Sequence, residues 1–142
     1  MLADAILSSA GDRRILIVAS SDLSHYHGYE RAVAMDTELI DKIARMDVKA
    51  FLKALESGKG EACGGGAVAV AMMVGTGMGS AKARILKYAN SGDVTGDKSG
   101  VVGYVSGVLY LPGGPDKGKE TPSLGVNLGL SDEEKKALLG VA

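Results

Sequence analysis

Three stretches of the chain predict an α/β fold. Arg14 to Ser20 is a β-branched apolar run of strand length, and reads as a strand buried on both faces. Tyr29 to about Met46 places Val33, Leu39, Ile40 and Ile43 at three- and four-residue steps, with Glu30, Asp36, Glu38 and Lys42 between them. That is the period of an amphipathic helix. Val101 to Leu111 is a second apolar strand, where Gly103 and Gly107 mark a bulge or a close backbone contact. The expected architecture is part of a three-layer α/β/α domain with a mixed sheet, strand 14–20 lying at its centre.

The remaining elements follow from local signals. Leu2 to Ala10 is predicted as a short helix ended by Gly11. Asp47 is placed to cap a helix carrying Phe51, Leu52 and Leu55, which stops at Gly58. Cys63-Gly64-Gly65-Gly66 opens the run Ala67 to Val74, whose Ala, Val and Met content predicts a buried helix ended by Gly75, Gly77 and Gly79. Ala83 to Ala89, with Ile85 among charged neighbours, reads as a strand. Asn90 to Asp97 is dense in turn formers and reads as a loop. From Pro112 to Lys119 the chain becomes proline- and glycine-rich, and Ser131-Asp132-Glu133-Glu134 is a capping box before Ala137, Leu138 and Leu139. Residues 1–111 are thus expected to form one domain and 112–130 a linker. Residues 131–142 are expected to begin a truncated second domain or to form a helix folding back on the first.

Composition removes several function classes. With a net charge of −1 and interspersed signs, the 142 residues carry no basic stripe suited to nucleic acid or to a membrane surface. No apolar stretch approaches the roughly 20 residues that span a bilayer. The opening residues lack the basic flank of a signal peptide. One cysteine cannot form an internal disulfide, which fits a reducing cytoplasm. With no tryptophan and one phenylalanine, the core must rest on aliphatic side chains and methionine.

Two polar clusters can carry chemistry. Asp22-Leu23-Ser24-His25 ends the apolar run and places a carboxylate and an imidazole three residues apart. A carboxylate beside an imidazole fixes its tautomer and makes it a usable acid or base near neutrality. The competing reading is structural: Asp22 or Ser24 caps the next helix and His25 packs against it. A serine hydrolase is disfavoured, because adjacent Ser24 and His25 diverge in direction and no G-x-S-x-G elbow is present. Cys63 precedes a glycine-rich helix start, where unpaired N–H groups favour a thiolate, a nucleophile or a soft metal ligand. The alternative is a small buried hydrophobe. His27 reads as a solvated loop histidine. Gly75-Thr76-Gly77-Met78-Gly79 does not match a dinucleotide fingerprint, and Asp93 and Asp97 lack EF-hand spacing, which leaves them turn formation and surface charge.

Val18-Ala19-Ser20-Ser21-Asp22-Leu23-Ser24-His25-Tyr26, Cys63-Gly64, Tyr88-Ala89-Asn90-Ser91-Gly92-Asp93 and Val101-Val102-Gly103-Tyr104 occur in this order. Together they resemble the C-terminal half of the Memo family, protein B of the AmmeMemoRadiSam system in bacteria and archaea. That family is similar to the LigB-type, class III extradiol dioxygenases, which open catechol rings with non-haem iron. The resemblance covers about residues 1–111. It implies that Cys63 is a metal-site ligand, that His25 is the pocket acid/base, and that Asp22 is the acidic residue beside it.

Two departures bear on function. The family's other two metal-site residues are histidines of an N-terminal half, whereas the only histidines here are His25 and His27. A thiolate also replaces the carboxylate of the dioxygenase triad, shifting preference toward softer ions such as copper(I) or altering the redox behaviour of iron. The resemblance therefore implies one non-haem iron or copper ion with further ligands from an absent N-terminal half. It implies metal-dependent redox or oxygenase chemistry on a small, catechol-like substrate. A fragment, one side of a split protein or an obligate homo-oligomer is expected. The alternative expectation is a non-catalytic module that binds a peptide or small ligand in a vestigial dioxygenase site. A cysteine-nucleophile enzyme built on Cys63 and His25 is the third.

Overall fold

Leu23, Leu39, Phe51, Ala54, Ala69 and Met72 are buried together, and they draw three helices and one loop into a common core. The computed structural model describes residues 1–79 and 81–112. In chain order these form α1 (Leu2–Ala10), β1 (His25–His27), α2 (Tyr29–Ala44), α3 (Val48–Glu56), α4 (Gly65–Gly77), β2 (Lys82–Asn90), α5 (Ser91–Thr95) and β3 (Val101–Tyr110). The strands make a three-stranded sheet in the order β1-β3-β2, with antiparallel pairing throughout. Helices with a sheet give the expected α/β class. The linker beyond Pro112 and the helix from Ser131 lie outside the described residues.

Local signals placed most elements. Gly11 ends α1 at φ 52°, a conformation costly for other residues. The Asp47 side chain accepts the Ala50 N–H at 2.9 Å and starts α3 as its composition requires. In α2 the buried stripe is Ala32, Met35, Asp36 and Leu39. Asp36 therefore belongs to the interior and not to the solvent face predicted for it.

Three further expectations are corrected. Residues 14–20 form no strand: Leu16 is 88% and Val18 80% exposed. A strand exists only through its neighbours' hydrogen bonds, and among the described residues no strand pairs with this run. Helix α4 continues through Gly75 to Gly77. Those glycines admit close neighbours, since a Cβ on Gly77 would press on Leu7 of α1 and one on Gly75 would meet Ala81 at 3.0 Å. Finally, residues 91–95 are a single helical turn, not a loop. Asn90 Oδ1 accepts the Asp93 N–H at 3.2 Å, and Asp93 Oδ2 accepts the Asn90 N–H at 2.9 Å. This reciprocal cap outweighs the turn-forming composition.

Long β2 and β3 pair from Lys82↔Tyr110 to Asn90↔Gly103, with a register shift between Ile85 and Lys87. Short β1 pairs with the start of β3, His25 opposite Val102 and His27 opposite Val101. The segment bearing Asp22 and His25 is thereby fastened to the sheet. No helix among the described residues is long and apolar enough to cross a membrane.

Candidate functional site

The site is built where residues 20–25 meet the turn before α4. Ser21 Oγ donates to the Asp22 carbonyl at 2.7 Å and accepts the Gly64 N–H at 2.9 Å. The Cys63 N–H donates to the Asp22 carbonyl at 3.2 Å, and the Asp22 N–H donates to Cys63 Sγ at 3.2 Å. These bonds bring together segments 41 residues apart in sequence. Gly64 is required for that approach, because a Cβ there would overlap the Ser20 carbonyl oxygen.

The strap places Cys63 beside the Asp22–His25 pair. His25 Nε2 lies 3.7 Å from Asp22 Oδ2, at ion-pair distance when the imidazole is protonated. Ligand atoms of Asp22, His25 and Cys63 all lie within 4.8 Å of one another. Cys63 is exposed and its two companions are half-buried. The thiol is thus not the buried hydrophobe of the competing reading. Neither Asp22 nor Ser24 caps α2, whose N-cap is Gly28 without a side-chain bond.

Sequence reasoning missed Glu61. Its Oε1 accepts from His27 Nε2 at 2.9 Å and its Oε2 accepts the His25 N–H at 3.2 Å. His27 is therefore a partnered strand residue and not a solvated loop histidine. Between the two histidines, Tyr26 takes φ 60° at the irregularity in β1 and is 81% exposed. Glu61 precedes Cys63 by two residues, which was the only local sign of it.

The His27 hydrogen bond, with a smaller contribution from the His25 N–H, holds the Glu61 carboxyl below its ordinary value of 4.5. A lowered folded value means that the stability it contributes is present above about pH 4.5 and is lost as pH falls through the folded value. Glu61→Gln is expected to lower stability at neutral pH, to converge with the wild type below pH 4.5, and so to flatten the acid limb of the pH–stability curve. Denaturant titrations at pH 3.5 to 7 measure this, and an unchanged acid limb contradicts the assignment.

Sulfur, imidazole and carboxylate donors this close suit a single ion of borderline or soft character. Three protein donors also leave positions open, as reactive metal centres require. The donor set is chemically compatible with an iron or copper ion, which Cys63 would ligate and for which Asp22 and His25 would serve as further donors or as an acid/base pair. In class, then, this is an α/β protein with a cysteine–histidine–carboxylate cluster on a strapped loop.

Comparison with known proteins makes the assignment sharper. The family model described as Memo-like protein matches residues 1–108. The chain is 42% identical over 106 residues to a protein of Methanosarcina mazei named MEMO1 family protein, covering 75% of this chain and 39% of that one. Proteins of the same name from Nitrosopumilus maritimus and Sulfolobus acidocaldarius are 43% and 38% identical over 101 and 100 residues, covering 71% and 70% of this chain and 37% and 35% of theirs. The chain belongs to the Memo family. It spans about two fifths of the length of these curated relatives.

Proposed function

We propose that this chain is part of a Memo-type, extradiol-dioxygenase-like protein whose metal-dependent redox or oxygenase chemistry acts on a small, catechol-like substrate. The convergence of Asp22, His25 and Cys63 within 4.8 Å carries this reading. A bound iron or copper ion would supply redox chemistry and a Lewis-acid seat for the substrate's oxygens. Cys63 is the ligand in this scheme. His25, steadied by the Asp22 carboxylate, takes a proton from the substrate hydroxyl and returns it to product. The remaining ligands come from polypeptide outside this chain's share of the family's length, or from a second copy. The exposed run at residues 14–20 leads directly into Ser20 and Ser21 and is the surface where that polypeptide docks. The compartment is cytoplasmic, in keeping with a single free cysteine.

The experiment is oxygen uptake with a panel of catechols after loading with iron(II) or copper(I), for the wild type and His25→Gln. The variant is expected to keep its metal and to lose about 100-fold or more in turnover, the ordinary contribution of an acid/base group. Loss of metal in the variant would instead make His25 a ligand. The solvent-facing position of Cys63 favours a second reading, a binding module without turnover. Catechol binding by calorimetry with no oxygen uptake in the wild type would select it.

A further inference from the structure

One carboxylate next to the site takes no part in the chemistry just described. Asp36 of α2 is fully buried, and a buried charge persists only where hydrogen bonds replace its water. Its Oδ1 accepts the Ser24 N–H at 2.9 Å and its Oδ2 accepts the Tyr88 O–H at 2.7 Å. Burial, then the Asp36 hydrogen bond, push the Tyr88 phenol above its ordinary value, so it stays protonated and donates. The sheet leaves room for the carboxylate only because residue 103 is glycine: a Cβ there would overlap Asp36 Oδ2.

The Ser24 amide is the middle of the site loop. On either side of it the Leu23 N–H donates to the Gly103 carbonyl at 2.8 Å, and the Gly103 N–H donates to the Ser24 carbonyl at 3.0 Å. Leu23 and Ser24 are buried, whereas the flanking Asp22 and His25 are half-open to solvent. Residues 23 and 24 therefore act as a clamped pivot. A small rotation about it would move Asp22 and His25 in concert, and would carry the Asp22 N–H away from Cys63 Sγ.

We propose that Asp36, held in place by Tyr88, is a positioning residue that sets the mutual placement of Asp22, His25 and Cys63. The inference rests on the site reading given above but concerns geometry that can be measured without metal. Acting through the backbone of Ser24, Asp36 touches neither substrate nor ion. Removing it leaves the donors present and their convergence lost.

The test uses Asp36→Ala, Asp36→Asn and Tyr88→Phe in the full chain. Amide hydrogen exchange is read at Asp22 and Ser24, and cobalt(II) titration follows the thiolate-to-cobalt absorption. In Asp36→Ala the Asp22 and Ser24 amides are expected to exchange at least about tenfold faster, while Phe51 and Ala54 in α3 keep their rates. Cobalt affinity is expected to fall about 10–100-fold, as for groups that orient ligands. Asp36→Asn is expected to restore most of both, since its amide can accept from Ser24 and donate to Tyr88 oxygen. Where Asp36→Ala does not fold, Tyr88→Phe decides, with the same sign and smaller size. Asp22 exchange that stays unchanged, or rises only together with Phe51 and Ala54, overturns the positioning role. A wild type with no thiolate–cobalt absorption counts against the metal reading alone, because the exchange data still decide the geometry.

Discussion

Cys63→Ala is expected to lower the affinity for iron(II) or copper(I) by at least about 100-fold. Groups that only orient metal ligands already cost 10–100-fold when removed, and this change removes a donor atom itself. Cys63 is exposed and its Sγ accepts one exposed hydrogen bond, from the Asp22 N–H, which water can replace, so its deletion should leave folding stability within about 1 kcal/mol. The two measurements together separate ligation from structure: elemental analysis of loaded protein should show metal lost, and the thermal midpoint should hold. An alanine variant that retains its full complement of metal would remove the sulfur from the site and leave Asp22 and His25 as a simple acid/base pair.

Gly103→Ala is expected to be strongly destabilising. The added methyl group would overlap Asp36 Oδ2, with the carboxylate's other oxygen at 3.1 Å. Overpacking of this kind costs about 1–3 kcal/mol, and displacing a buried carboxylate from its donors adds about 1.5–3 kcal/mol. A total near 3 kcal/mol or more corresponds to a fall in the thermal midpoint of more than about 12 °C for a domain of this size. Gly66→Ala is the control, since nothing lies within 4 Å of its Cβ position in α4. It should stabilise by up to about 1 kcal/mol through helix propensity. A midpoint for Gly103→Ala within a few degrees of wild type would show that α2 and β3 can part without loss.

The elements that were legible in the sequence are those set by neighbours along the chain. Asp47 announces α3, Gly11 and Gly58 end helices, and the spacing of Leu39 and Ile43 gives α2 its period. Each depends on residues within a turn or two. Asp36 escaped because an acid in an amphipathic repeat reads as solvent face, and its reasons for being inside, Ser24 and Tyr88, lie 12 and 52 residues away. Glu61 escaped for the same reason, as its partner His27 is 34 residues distant. Residues 14–20 carry every intrinsic preference of a strand, yet pairing is a relation between segments, and propensity cannot supply the second one. Asp22, His25 and Cys63 were singled out by their chemistry and by the family resemblance. Their meeting in space depends on Ser21 and Gly64, residues with no reactive character of their own.

The bare aliphatic ribbon from Ile15 to Val18 also has a cellular consequence. Chaperones that grip short, extended, oily peptides would find a ligand already presented, and identical molecules would find each other. Turnover and clumping of this polypeptide should then depend on concentration and on how quickly something else occupies that ribbon.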